Sequence, residues 1–149
     1  MITIRKATVE DISTLVDFQV RLALETENLQ LDVKILTKGI QSLLSDPSKG
    51  FYNIAVDNNH IVGCHMITYE WSDWRNGMIW WLQSVYVVDA YRKKGVFKLM
   101  FEHISQQAKN SGIAGLRLYV DKTNTRAQKV YESMGMNGEH YSVYELMFQ

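Results

Sequence analysis

A chain of 149 residues, 46% hydrophobic and 21% charged, has room for one buried core and the composition of an ordinary globular domain. Lys and Arg number 16 and Asp and Glu 16, so the formal net charge of +0 supplies no global field for nucleic acid or an anionic membrane. No apolar stretch reaches membrane-spanning length and Met-Ile-Thr-Ile-Arg-Lys does not read as a signal peptide, so one cytoplasmic domain over residues 1–149 is expected, with neither nucleic acid nor membrane as partner.

Ile2 to Ala7 alternates as a first strand. Thr8-Val9-Glu10-Asp11 resembles a capping box and opens a helix with Ile12, Leu15, Val16, Gln19 and Leu22 on one side. Glu25 and Glu27 fall near its C-terminus, where acids oppose the helix dipole: they are tolerated surface charges or are kept for a ligand. Asp32 caps a second helix striped by Val33, Leu36, Ile40, Leu43 and Leu44, and Asp46-Pro47-Ser48 ends it. Phe51–Val56 and Ile61–Tyr69 are strands joined at Asp57-Asn58-Asn59-His60, which suits a hairpin because Asn tolerates positive φ.

Cys64, the single cysteine, lies within the second of these strands; it excludes a disulfide framework and reads as a buried, inert thiol. His65 beside it reads as a structural histidine, and no His or Cys spacing suits a metal. Trp71–Gly77 is a turn with an Asn-Gly corner, carrying two tryptophans, an acid and a base. Met78–Val88 is a nearly continuous apolar strand, as expected for one covered on both faces. A helix follows, with Phe97, Met100, Phe101, Ile104 and Ala108 at three- and four-residue steps. Gly115–Val120 is a short strand, a helix begins at Thr123 or Asn124 and closes at Gly135, and Tyr141–Phe148 alternates as a final strand.

Between the apolar strand and its helix stand Arg92, Lys93, Lys94 and Gly95. Free N–H groups of a helix start, the positive end of its dipole and three cations converge there, which suits a phosphate; a plain structural turn is the alternative. Arg92-Lys93-Lys94-Gly95-Val96-Phe97 resembles the pyrophosphate loop of the GNAT superfamily of acetyl-CoA-dependent N-acetyltransferases, with Phe97 where a small residue is usual. Asn124-Thr125-Arg126-Ala127, followed by Tyr131-Glu132 and Gly135-Met136, resembles the same family's downstream signature, with Met136 for Phe.

The resemblance implies an α/β (α+β) fold: a mixed, largely antiparallel sheet of six to seven strands with helices on both faces, in the order β-α-α-β-β-β-α-β-α-β. It implies acetyl-CoA as co-substrate and no metal. Arg92, Lys93, Lys94, Gly95, Val96 and Phe97 would then hold the diphosphate, Val85, Tyr86 and Val87 would pair with the pantetheine arm, and Asn124 would serve the cofactor as well as cap its helix. Tyr131 falls at the family's general acid, which protonates the departing thiolate. The family's glutamate base falls here at Trp81, so the base is left among Glu27, Glu70, Asp73 and a water chain past Gln83 or Ser84.

Glu27, Trp71, Asp73 and Trp74 form a candidate acceptor site for a cationic amine, held by carboxylates and aromatic faces. The implied reaction is direct attack of a primary amine, on a small molecule or a peptide, in a ternary complex. Two alternatives stay open. Trp71–Gly77 could instead be a homodimer surface, and the chain could be a non-catalytic acyl-CoA sensor.

Overall fold

Strand β1 (Thr3–Lys6) leads through a one-turn 3-10 segment (Val9–Asp11) into helix α1 (Ile12–Glu27). The junction is fixed by Asp11, whose carboxylate accepts the Thr8 backbone N–H at 2.8 Å and pairs with Arg5 at 2.9 Å. Helix α1 ends where Asn28 turns left-handed at φ 50, a conformation asparagine tolerates. Helix α2 (Val33–Ser45) starts on Asp32, which accepts the N–H groups of Lys34 and Ile35 at 2.9 and 3.1 Å. Strands β2 (Phe51–Asp57) and β3 (His60–Ser72) join through Asn58 and Asn59, at φ 49 and 65. That is the pair of positive φ values a two-residue hairpin turn needs. Strand β4 (Gly77–Val87), helix α3 (Val96–Asn110) and strand β5 (Gly115–Leu118) follow.

The sheet runs in the order β1-β2-β3-β4-β5; the first four strands are antiparallel and β5 lies parallel to β4. A parallel return needs a crossover, and α3 supplies it. Helices lie on both faces. Leu15 and Phe18 of α1 with Ile40 and Leu43 of α2 pack on Tyr52, Ile54, Cys64 and Tyr86. Across the sheet, Ile104 and Ala108 of α3 pack on Ile67, Trp80 and Leu82, and Val96 and Met100 on Ala55 and Val62.

In this computed structural model all 149 residues are described, and the chain forms two compact units, Met1–Leu118 and Tyr119–Gln149. The second unit holds helix α4 (Thr125–Ser133), capped by the Asn124 side chain on the Ala127 N–H at 3.1 Å. Gly135 follows it at φ 90, the left-handed position a glycine takes after a helix.

Three expectations are corrected. The sheet has five strands, not six or seven, because Tyr141–Phe148 forms no ladder. Alternation marks a segment fit to be a strand, but the strand exists only through hydrogen bonds to a neighbour, and here Tyr144, Leu146 and Phe148 stay exposed. The fifth strand stops at Leu118 rather than Val120. Trp71 and Ser72 belong to β3, paired with Met78 and Gly77, so the turn shortens to Asp73–Asn76.

Candidate active site

The register of β3 against β4 slips by one residue. Cys64 faces Tyr86 and Met66 faces Gln83, so Ser84 and Val85 together oppose His65, and Ser84 takes φ 55. This bulge reverses which face each later side chain takes. Trp80 and Leu82 point to the α3 side, whereas Tyr86, also even-numbered, packs against Phe18 of α1 with ring centroids 5.1 Å apart. The ladder to β5 runs from Ile79 to Leu82 and ends there. Residues Gln83–Val87 therefore keep a β4 edge with no strand neighbour on the β5 side. An extended chain bearing amides can pair with such an edge. Of Val85, Tyr86 and Val87, the expected pantetheine partners, Tyr86 commits its ring to the core, leaving the backbone for a ligand.

Beyond β4 the chain makes a 3-10 turn (Asp89–Tyr91), then Lys93 at φ 61 and Gly95 at φ 80, before α3 begins at Val96. Backbone that alternates into left-handed φ ahead of a helix turns its N–H groups toward one point, a concavity suited to an anion. A Cβ on Gly95 would meet nothing within 4 Å, so the space above it is open. Val96 is 2% exposed and belongs to the sheet core, so it offers only its N–H. Phe97 packs at a tilt against Phe101, with centroids 6.1 Å apart.

Arg92 is engaged elsewhere. Its Nε donates to the Val87 carbonyl at 2.9 Å, its guanidinium pairs with Glu25 at 2.8 Å and Asp89 at 3.4 Å, and it lies over the Tyr86 ring. These acids hold the Arg92 pKa above the usual guanidinium range. Lys93 and Lys94 carry no such carboxylate pairing, and Lys94 lies 5.7 Å over the Tyr91 ring.

On the α1 side of the sheet, before the bulge, lies a half-buried polar row: Thr68, Glu70, Trp81, Gln83 and Arg117. Glu70 Oε1 accepts the Trp81 indole N–H at 2.9 Å and an Arg117 N–H at 2.6 Å, and the Gln83 amide donates to Thr68 Oγ1 at 2.7 Å. The two donors hold the Glu70 pKa below the usual carboxylate range, Trp81 foremost. Glu27 is exposed at the end of α1; Asp73 and Trp74 are exposed in the β3–β4 turn, where Asp73 Oδ1 accepts the Trp74 N–H at 2.9 Å. Trp71, 59% exposed, stands on the neighbouring end of β3.

In the second unit, Tyr131 occupies the last turn of α4 and is half-buried; desolvation raises its pKa above the ordinary phenol value. Its hydroxyl therefore stays protonated through neutral pH, as an acid must. No group of three or more His, Cys, Asp or Glu side chains suited to a metal ion occurs.

Two features were not legible in the sequence. The Glu25–Arg92 pair joins residues far apart in the chain, and neither carries a motif that marks the partner. Gln19, expected only as part of an inward helix face, donates to the Ser84 carbonyl at 3.1 Å. A polar residue on an apolar stripe was the one signal available.

Comparison with known proteins adds the family. The Acetyltransferase (GNAT) family model matches residues 15–136. Among solved structures, a possible acetyltransferase from Clostridium difficile 630 is 43% identical with a TM-score of 0.93, covering 100% of this chain and 99% of that one. A predicted acetyltransferase from Clostridium acetobutylicum, solved with acetyl-CoA, is 23% identical with a TM-score of 0.79, covering 97% of this chain and 96% of that one, and shares the fold. The thialysine N-epsilon-acetyltransferase of Bos taurus is 29% identical over 75 residues, 50% of this chain, so the match spans 44% of that protein's length. With a family model matched from α1 to the residue after Gly135, across the bulged strand and the positive-φ turn, this chain belongs to the GNAT acetyltransferase family and is an enzyme of that type.

Proposed function

We propose that this acetyltransferase moves the acetyl group of acetyl-CoA to a primary amine of a small cationic molecule or a peptide, by direct attack in a ternary complex. The observation that carries the reading is the Gln83–Val87 edge, which no strand covers on the β5 side, leading into the left-handed turn at Lys93 and Gly95. A ligand with a diphosphate, a run of amides and a thioester matches that succession in order. Lys93, Lys94 and the N–H groups of Gly95, Val96 and Phe97 would take the diphosphate, and the backbone of Val85–Val87 the pantetheine amides. Arg92 would act through the turn it braces rather than as a phosphate ligand.

In the reaction the amine nitrogen attacks the thioester carbonyl carbon, the C–S bond breaks, and the sulfur takes a proton. Tyr131 is the donor in this reading, with Asn124 near the cofactor as well as capping α4. The attacking ammonium must first lose one proton to a base; the nitrogen sheds a second as the amide forms, which balances the proton that Tyr131 gives to sulfur. Glu70 is disfavoured for that step, because its donors favour the ionised, weakly basic form. Glu27, Asp73 or a water chain past Gln83 and Ser84 then remain. Glu27, Asp73, Trp71 and Trp74 suit a cationic acceptor, and the name of the bovine relative points to an amine of that charge.

The family match crosses both compact units, which supports one working domain over residues 1–149. The buried free thiol suits a reducing cytoplasm. Thiol release from acetyl-CoA, measured across polyamines, amino acids, aminosugars and peptide N-termini, tests the reading. A cationic amine should turn over, and Tyr131→Phe should lower kcat by 10²-fold or more, on the order of a general acid's contribution. Full activity in Tyr131→Phe at every pH would remove that residue from the chemistry. Tight acetyl-CoA binding with no turnover on any amine would favour the sensor.

A further inference from the structure

Gln19 is 6% exposed, in the middle of α1, where its inward neighbours Leu15, Phe18 and Ala23 are apolar. A buried amide on such a face needs a partner to offset its desolvation. The partner is the bulge: Gln19 Nε2 donates to the Ser84 carbonyl at 3.1 Å, and Cys64 Sγ approaches the same oxygen at 3.6 Å. Ser84 is a non-glycine residue at φ 55, a conformation that persists only when its surroundings impose it.

The Ser84 carbonyl and the Val85 N–H belong to one planar trans peptide, so a donor that fixes the first fixes the direction of the second. Both residues lie in Gln83–Val87, the stretch of β4 with no strand neighbour on the β5 side. We infer that Gln19 is a positioning residue for acyl transfer: its buried amide sets the Ser84–Val85 peptide, and through it the backbone against which the acyl thioester lies.

This rests on the proposed acetyl-CoA site, and the test separates the two. Coenzyme A and acetyl-CoA share every group except the thioester, so a residue that orders the backbone at the thioester affects their affinities unequally. Calorimetric Kd values for both ligands are to be compared in the wild type and in Gln19→Met, which keeps volume and removes the donor. The expected result is a fivefold or larger loss of acetyl-CoA affinity, with coenzyme A affinity held within twofold. Equal loss for both ligands, or no loss for either, overturns the inference. A wild type that binds neither ligand overturns the acetyl-CoA reading itself.

Gln19→Glu covers the case in which Gln19→Met fails to fold. As a carboxylic acid it donates to the Ser84 carbonyl, and as a carboxylate it repels it. Its ratio of acetyl-CoA to coenzyme A affinity should match the wild type at pH 5.5 and fall at pH 8, while the wild-type ratio stays level. A ratio in Gln19→Glu that does not change with pH counts against the role.

Discussion

At the scale of single residues, the polar groups inside the first unit divide into those that fix the backbone and those that only tolerate burial. Asp11 belongs to the first kind. It caps the α1 junction through Thr8 and pairs with Arg5, and Arg5 foremost holds its carboxyl below the usual range. Asp11→Ala should lower stability by about 1–2 kcal/mol in urea unfolding at pH 7. Because the folded pKa is the lower one, that contribution is full above the ordinary carboxylate value and fades as pH falls through the folded value.

His65 belongs to the second kind. It is fully buried, its Nε2 lies 3.2 Å from the Asn53 amide, and its Nδ1 has no hydrogen-bond partner. Burial, with the nearby His103 charge, pulls its pKa down to about 4. The unfolded chain takes up the proton first as pH falls, so stability drops below about pH 6.5 and levels off near 4, by about 3 kcal/mol at most. Urea midpoints between pH 7 and 4.5 should fall less steeply in His65→Gln than in the wild type; equal slopes would contradict this. The structural reading of His65 and the inert thiol were legible in the sequence, because both stand in an apolar run. Burial pushes the Cys64 thiol up to about 12. The φ of Ser84 was not legible: nothing in Gln83-Ser84-Val85 distinguishes a bulge from a straight strand, and the side chain that meets its carbonyl, Gln19, lies far off in the chain on α1.

At the scale of elements, local chemistry decided what could be read. Asp32, Asn58-Asn59 and Gly95 each satisfy a backbone need within a few residues, so α2, the β2–β3 hairpin and the start of α3 were visible in advance. Strand ends depend on partners, and this is why β3 absorbed Trp71 and β5 stopped early. The missing ladder at Tyr141–Phe148 has the same origin.

Gly95 gives a sharp test at this scale. Its φ of 80 makes Gly95→Ala cost about 1 kcal/mol of stability, while the new Cβ meets no protein atom. If the diphosphate occupies that open space, coenzyme A affinity should fall tenfold or more, well beyond the stability effect. A Kd within twofold of the wild type would place the diphosphate elsewhere. Gly50→Ala is the contrasting case. Its φ is 147 and its Cβ would fall 2.0 Å from the Ile67 carbonyl oxygen, so it should unfold the sheet rather than alter binding, seen as loss of soluble, cooperative protein.

At the scale of the whole molecule, the reading of one working domain from two compact units makes a thermodynamic claim. The acyl-donor ligand is proposed to use the turn of the first unit, and the family match runs on through the second to residue 136. Its binding free energy should therefore stabilise both together. At a hundredfold excess over Kd, a ligand bound only by the folded state contributes about 2.7 kcal/mol. For a chain of this length that corresponds to a rise in Tm of roughly 5–10 °C. Differential scanning calorimetry with coenzyme A should show one transition moving upward as a whole, with calorimetric and van't Hoff enthalpies in agreement. Since the chain is formally neutral, the electrostatic part of the gain should come from the local cations at the turn and shrink as salt rises. Two transitions, of which coenzyme A moves only one, would show that the ligand engages a single unit. Tyr131 would then lose its place in the reaction, because an acid can protonate the departing sulfur only if its unit is held by the same bound molecule.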